Sequence, residues 1–247
     1  MSGISLAIFA VLVLSTSFIA GVFGMAGGMI LMGGLLMLLT VSNAMVIHGI
    51  TQMAANGWRT VLWREHIDWS IVGRYVIGLL IAAALFSGVN YVPDETVVFL
   101  FLGIVPFLPL VVPPHLVPQV GHRLGAEMCG FVCTSLQFLS GVSGPILDVF
   151  FVKSAMDRRR VVATKAACQV LTHLAKLIYF GFLIGGATAE IFAFPVILVA
   201  VGMAIVGTTL SRRVLEALSD QNFRRYTQWL ILGIGSVYLV RATIGFL

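Results

Sequence analysis

The sequence predicts an all-α polytopic membrane protein built from two inverted repeats. Apolar residues make up 59% of the 247 positions and charged residues only 10%, whereas a soluble domain carries about 25% charged residues. Polar residues fall in short blocks between apolar runs of roughly 17 to 25 residues, the helix length that crosses a hydrocarbon core. Barrel strands would alternate in shorter segments. We therefore expect a multi-pass protein of the bacterial inner membrane.

The apolar runs divide into ten segments, two of which are unusual. The second is rich in glycine and the seventh is short, so each is either a half-helix or a full crossing. No Lys or Arg precedes the first segment, which is therefore interpreted as a membrane helix rather than a signal peptide. The segments cover residues 4–22, 25–42, 43–62, 70–90, 95–112, 121–142, 145–156, 159–184, 189–211 and 223–246.

The charges of the loops predict how the chain is oriented, because Lys and Arg accumulate on the cytoplasmic side. The connections at Pro93–Glu95 and Ala187–Glu190 lack basic residues and should lie outside. We predict eight to ten crossings, ten if both short segments cross, with both termini outside. The basic loops expected inside contain Arg59 and Arg64, then Arg158, Arg159 and Arg160, then Arg212, Arg213, Arg224 and Arg225.

An internal repeat divides the chain into residues 1–114 and 115–247. The stretch from Phe18 to Gly24 resembles that from Phe138 to Gly144, and each copy ends an apolar segment. Halves of about five segments insert with opposite orientations. This arrangement is typical of secondary transporters that alternate access around a site near the membrane midplane.

In each half, the next long helix carries four polar residues at steps of four, four and three. They fall within an arc of about 80° and form one narrow line. Polar side chains inside a membrane are costly and mark functional sites by default. Donors and cations without a carboxylate suit an oxyanion, although hydrogen bonding between helices is the alternative. The residues are His48, Gln52, Asn56 and Arg59, and Lys165, Gln169, His173 and Lys176.

Glycines beside these helices form a second candidate element. A break at glycine leaves free N–H groups that can bind an anion, and Pro145 suits the first turn of a new helix. Close helix packing through small residues is the alternative explanation. The candidate glycines for anion binding are Gly24, Gly27, Gly28 and Gly144.

Asp148 is a candidate for proton coupling, because a buried carboxylate beside an anion path can take up a proton. Pairing with a neighbouring Lys or Arg is the alternative. The three cysteines lie in apolar stretches and are interpreted as packing residues. The net charge of +5 comes from loop residues that orient the chain. We therefore expect no metal, no cofactor and no nucleic-acid partner.

An intramembrane serine protease is the enzyme alternative. Gly141-Val142-Ser143-Gly144 fits the Gly-x-Ser-Gly pattern of rhomboid proteases, and His173 lies on a following helix. The repeat argues against a Ser143–His173 dyad, because Ser143 matches Phe23 in the first copy. A membrane scaffold without transport activity is the third alternative.

At these residues the sequence resembles the sulfite exporter TauE/SafE family of anion permeases. The matching features are the duplicated glycine-rich segments, the helix with His48, Gln52, Asn56 and Arg59, and the helix from Thr164 to Lys176. The resemblance covers nearly the whole chain. It implies that the protein exports sulfite or a small organosulfur anion such as sulfoacetate and is not an enzyme. A homodimer is left open.

Overall fold

The prediction of an all-α protein is confirmed in a computed structural model. The structure describes residues 3–23, 25–113, 116–152, 154, 156–217 and 220–246. Within these ranges the chain forms helices and no strand. The helices follow the ten predicted segments, except that the fifth segment divides into two helices.

The first half contains six helices, with a 3-10 turn at Arg64–His66. Their bounds are α1 Gly3–Phe23, α2 Met25–Leu36, α3 Val41–Leu62, α4 Trp69–Val89, α5 Glu95–Ile104 and α6 Leu108–Val111.

The second half contains five helices. A π-helical turn at Tyr179–Leu183 extends α9, and a 3-10 turn at Ala189–Phe192 precedes α10. The bounds are α7 Gly125–Ser140, α8 Gly144–Phe151, α9 Arg158–Ile178, α10 Phe194–Ala217 and α11 Asp220–Phe246.

Five of the described helices are long and apolar enough to cross a membrane. They are α1, α4, α9 with its π-helical turn, α10 and α11. The α3 helix, with 22 residues, is equally long, but its line of polar residues makes it less hydrophobic than these five helices. The chain is therefore a multi-pass membrane protein.

The second and seventh segments form the short helices α2 and α8. They contain 12 and 8 residues, which correspond to about 18 Å and about 12 Å of helix against a hydrocarbon core of about 30 Å. These lengths favour the half-helix alternative for both segments. The α2 helix folds back along α1, and α8 returns towards the start of α7, where Val120 N–H donates to the Phe150 carbonyl at 3.1 Å.

Each short helix thus forms a hairpin with the helix before it. In the second hairpin, Gly141 ends α7 in the left-handed region with φ 76°, a conformation that glycine adopts without steric cost. Pro145 occupies the first turn of α8, as predicted. In the first hairpin α1 ends at Phe23 and α2 begins at Met25, and Gly24 lies outside the described residues.

The two halves interlock through four helix pairs. The α3 helix runs antiparallel to α9, since Asn43 bonds Thr188 at one end and Gly49 lies beside Lys176 further along. The α5 helix is antiparallel to α11 in the same way. By contrast, α1 runs parallel to α10 and α4 runs parallel to α7.

The three cysteines lie in the core between α4, α7 and α9. Cys129, Cys133 and Cys168 are free thiols with 0% exposure. The hydroxyl of Tyr75 approaches Thr172 Oγ1 at 2.6 Å in the same region. These residues contribute to helix packing, as the sequence indicated.

Candidate functional site

A cavity of about 330 Å³ lies where α3 crosses α9 and the two hairpins break. Its wall combines the polar lines of α3 and α9 with both helix breaks. The polar and charged side chains in the wall are His48, Gln52, Asn56, Arg59, Gln137, Ser143, Asp148, Lys165, Gln169, His173 and Thr227.

Most residues predicted to form the site line this cavity. Gly27 and Lys176 are not in the wall, and Gly24 lies outside the described residues. The predicted residues in the wall are His48, Gln52, Asn56, Arg59, Lys165, Gln169, His173, Gly28, Gly144 and Asp148.

On α3, Gln52 faces the cavity while Asn56 supports Arg59. Asn56 Nδ2 donates to the Gln52 carbonyl at 3.0 Å, and its Oδ1 accepts from Arg59 Nη1 at 3.4 Å. Among the described residues, the side-chain amide of Gln52 has no hydrogen-bond partner. Gln52 therefore has both amide atoms available for a ligand.

On α9, Lys165 and Gln169 occupy the wall one helical turn apart. The Lys165 ammonium forms an ion pair with Asp148, which is the pairing that the sequence left open. Within the described part of the chain, the Gln169 amide is unpartnered, like that of Gln52. The wall thus contains two cations, Arg59 and Lys165, and one carboxylate.

Lys176 is completely buried behind the wall. Its ammonium lies 2.8 Å from His48 Nδ1 and donates to the Gly141 carbonyl at 3.0 Å. His48 Nε2 lies 3.0 Å from the Gly28 carbonyl and, since a carbonyl only accepts, is the donor. Both ring nitrogens of His48 are thus occupied. The pair joins α3 and α9 to the two hairpins.

The structure also shows Gln137, a wall residue that the sequence did not single out. Its amide nitrogen donates to the Gly141 carbonyl at 2.7 Å and approaches His173 Nδ1 at 2.8 Å. Its amide oxygen accepts from Ser143 Oγ at 3.0 Å. Gln137 therefore stands between Ser143 and His173, whose side chains do not form the hydrogen bond that a protease dyad needs.

The candidate glycines have different surroundings. Gly27 packs against the backbone of α1 at Thr16 and Ala20, so it serves close helix packing. Gly28 lies beside Gln52 and His48 in the cavity wall. Gly144 lies against the Met25 side chain, so the breaks of the two hairpins touch each other.

The first turns of α2 and α8 both reach the cavity, through Met25, Gly28 and Gly144. Helix N-termini carry partial positive charge and unpaired N–H groups, which favour anions. This field adds to the excess of cationic side chains in the wall. The cavity is therefore suited to a small anion rather than a cation.

The comparison with protein families agrees with this chemistry. The family model described as "Sulfite exporter TauE/SafE" matches residues 8–238. No curated protein and no solved structure matches the chain. Because the family match covers nearly the whole chain, this protein belongs to the sulfite exporter TauE/SafE family.

Proposed function

We propose that the protein exports a small sulfur oxyanion, sulfite or a small organosulfonate such as sulfoacetate, and binds it in the cavity between α3 and α9. Family membership implies an anion-exporting transporter. The observation that carries the proposal is a cavity whose described wall holds two cations, one carboxylate paired with Lys165, and two amides that have no hydrogen-bond partner among the described residues. Nothing in this proposal requires a cofactor or a metal.

The wall residues act by replacing the water that an anion loses when it enters the protein. Arg59 and Lys165 supply positive charge, and Gln52 and Gln169 supply neutral N–H donors. Hydrogen bonds to a charged group contribute about 1.5–3 kcal/mol each. Several such bonds offset the cost of desolvating an oxyanion.

The size of the cavity supports a small substrate. Its volume of about 330 Å³ equals roughly eleven water molecules at about 30 Å³ each. This space accommodates sulfite with some of its water. It also accommodates sulfoacetate, whose carboxylate would need a second positive group.

Alternating access between two inverted repeats is the proposed transport mechanism. The equivalent helices α3 and α9 run in opposite directions, as do α5 and α11. The α1 helix of the first half pairs with α10 of the second. In the same way α7, the counterpart of α1, pairs with α4, the counterpart of α10. These pairings support repeats over 1–114 and 115–247 that move against each other around the cavity.

We further propose that the basic end of the bundle faces the cytoplasm. At this end Arg160 bonds Asp68, and Arg159 lies over the Trp63 ring. The positive-inside rule then puts both termini on the periplasmic side of the inner membrane. Coupling of export to proton movement through Asp148 remains part of the proposal, as does a homodimer.

Gln52→Leu and Gln169→Leu test the site directly. Each removes an unpartnered amide and should raise the KM for sulfite by about tenfold to a hundredfold, the equivalent of one hydrogen bond to a charged group. Efflux from proteoliposomes loaded with sulfite is the measurement. A parallel panel of sulfate, thiosulfate, sulfoacetate and chloride identifies the preferred anion.

Gln228→Leu is the matched control, because Gln228 is exposed on α11 and does not line the cavity. It should transport like the wild-type protein. Sulfite export by both site variants at the wild-type rate would put the binding site elsewhere. Absence of flux for every anion in the wild-type protein would favour a scaffold.

A further inference from the structure

Gln137 is the centre of a buried hydrogen-bond network at the end of α7. Its side chain is 1% exposed. The Gly141 carbonyl can only accept, so the group that faces it at 2.7 Å is the amide nitrogen of Gln137. The amide oxygen then faces the hydroxyl of Ser143 at 3.0 Å. Both neighbours thus fix the orientation of the amide.

This orientation also determines the tautomer of His173. The amide nitrogen lies 2.8 Å from Nδ1 of His173. An amide nitrogen only donates, so Nδ1 is the acceptor, and the neutral ring carries its proton on Nε2. Among the described residues, no protein atom bonds that Nε2.

The two histidines of the wall therefore differ. His48 uses both nitrogens within the protein, on Gly28 and Lys176. His173 lines the cavity and keeps one N–H donor unused. In the opposite tautomer it would present a lone pair, which repels the oxygens of an anion.

We propose that Gln137 is a positioning residue that determines specificity by holding His173 in the tautomer whose Nε2–H points to the substrate. That N–H adds a third neutral donor to the Gln52 and Gln169 amides, which suits an –SO₃ group because all three of its oxygens accept hydrogen bonds. This inference deepens the proposed function and rests on it. Gln137 acts through His173 and does not need to contact the anion.

The tautomer can be measured without any substrate. Protein labelled with ¹⁵N in histidine gives nitrogen chemical shifts that distinguish Nε2–H from Nδ1–H, and His173→Asn assigns the signals. We expect Nε2–H in the wild-type protein. In Gln137→Glu the new carboxylate accepts from Nδ1, so the ring should become Nδ1–H or doubly protonated. Nδ1–H in the wild-type protein would overturn the inference, whichever anion is carried.

A double-mutant cycle tests the consequence for transport. Gln137→Leu should raise the KM for sulfite by about tenfold, the ratio for one hydrogen bond of about 1.4 kcal/mol, and change the maximal rate much less. In a His173→Ala background the same change should alter KM less than about twofold, since no ring is left to position. Equal effects in both backgrounds would reduce Gln137 to a packing role.

Gln137→Glu keeps the shape of the side chain if Gln137→Leu fails to fold. At acid pH the introduced carboxyl group is protonated and, like the amide, can donate to Nδ1, whereas at alkaline pH the carboxylate accepts from Nδ1–H. The KM of this variant for sulfoacetate should therefore rise with pH relative to the wild-type protein. The titratable groups facing His173 are His48, with ring centroids 5.5 Å apart, and Lys176. A ratio of KM values that is independent of pH would contradict the proposal.

These measurements separate the inference from the proposed function. A wild-type protein with no anion flux would refute the transport proposal, while the nitrogen shifts still report the tautomer. A wild-type protein that transports sulfite but gives an additive cycle would refute the positioning role alone.

Discussion

Gly27 and Gly28 are neighbours in α2, yet substituting each by alanine should have a different effect. A Cβ at Gly27 would come within 2.6 Å of Ala20 Cβ and closer still to the Thr16 carbonyl. A Cβ at Gly28 would first meet Gln52 Nε2 at 3.4 Å and then His48 Nε2 at 3.7 Å. The first contact is with the backbone of α1, whereas the second is with neighbouring side chains in the cavity wall.

The magnitude for Gly27→Ala follows from the overlap. Carbon atoms in contact are normally about 3.5–4.0 Å apart, so α1 and α2 must separate by roughly 1 Å. Overpacking of this kind costs about 1–3 kcal/mol. At about 2–4 °C per kcal/mol for a chain of this size, Tm should fall by roughly 2–12 °C. Gly28→Ala makes ordinary contacts and should leave Tm unchanged or raise it by up to about 4 °C, because alanine favours a helix over glycine by about 0.5–1 kcal/mol.

Gly28→Ala should impair transport, although it does not destabilise the fold. The added methyl group occupies part of the cavity and covers the Gln52 amide, so the KM for sulfite should rise several-fold with folding intact. Thermal unfolding in detergent and sulfite efflux from proteoliposomes measure the two effects. An unchanged Tm for Gly27→Ala would refute the close packing of the first hairpin. An unchanged KM for Gly28→Ala would refute the position of the anion beside α2.

Two further predictions concern carboxylates. Asp148→Asn removes the only carboxylate in the described wall and releases Lys165, so KM for sulfite should fall by about threefold to tenfold, or roughly 0.6–1.4 kcal/mol. An unchanged KM would contradict the argument that the Asp148 carboxylate weakens anion binding. If Asp148 also couples protons, a pH gradient should no longer accelerate efflux in this variant. Outside the membrane spans, the backbone N–H groups of Arg160 and Arg159 bond the Asp157 carboxylate and lower its pKa. Its stabilisation is therefore present at neutral pH and lost as the pH falls through that lowered value. Asp157 is the N-cap of α9. An asparagine at this position does not titrate, so Asp157→Asn should make Tm less sensitive to acid. Equal acid sensitivity of the variant and the wild-type protein would argue against a stabilising role of this N-cap.

The sequence predicted the helices and most of the polar side chains in the described cavity wall because both depend on regular spacing. Apolar runs set the ten segments, and steps of four, four and three put Gln52 and Gln169 on inward-facing lines. A break near the glycines of the Phe138–Gly144 repeat could be predicted because glycine tolerates backbone conformations that few other residues adopt, and the break falls at Gly141. These features follow from local chemistry along the chain.

Lys176 shows what spacing alone misses. It continues the line of Gln169 and His173, but α3 and α9 approach so closely at Gly49 that a Cβ there would lie 3.6 Å from Lys176 Cε. The crossing buries the ammonium behind His48. How closely two helices approach each other depends on tertiary packing, which the line of polar residues did not specify.

Gln137 was missed for a different reason. It is the only amide side chain in the 121–142 segment, and the aligned position of the first copy holds Ser17. A comparison of the two halves for shared polar residues therefore does not identify Gln137. Its distance of four residues from Gly141 is the one local signal, since such a side chain can reach the carbonyl at a helix break.

The complete burial of Cys129, Cys133 and Cys168 has a practical consequence. Thiol reagents dissolved in water should leave the native chain unlabelled as long as α4, α7 and α9 stay packed. A cysteine introduced at a cavity position can then be followed in the wild-type background, without removing the native thiols. Any slow labelling of the native cysteines would instead report separation of those helices. The chain thus contains its own internal reporter of conformational opening.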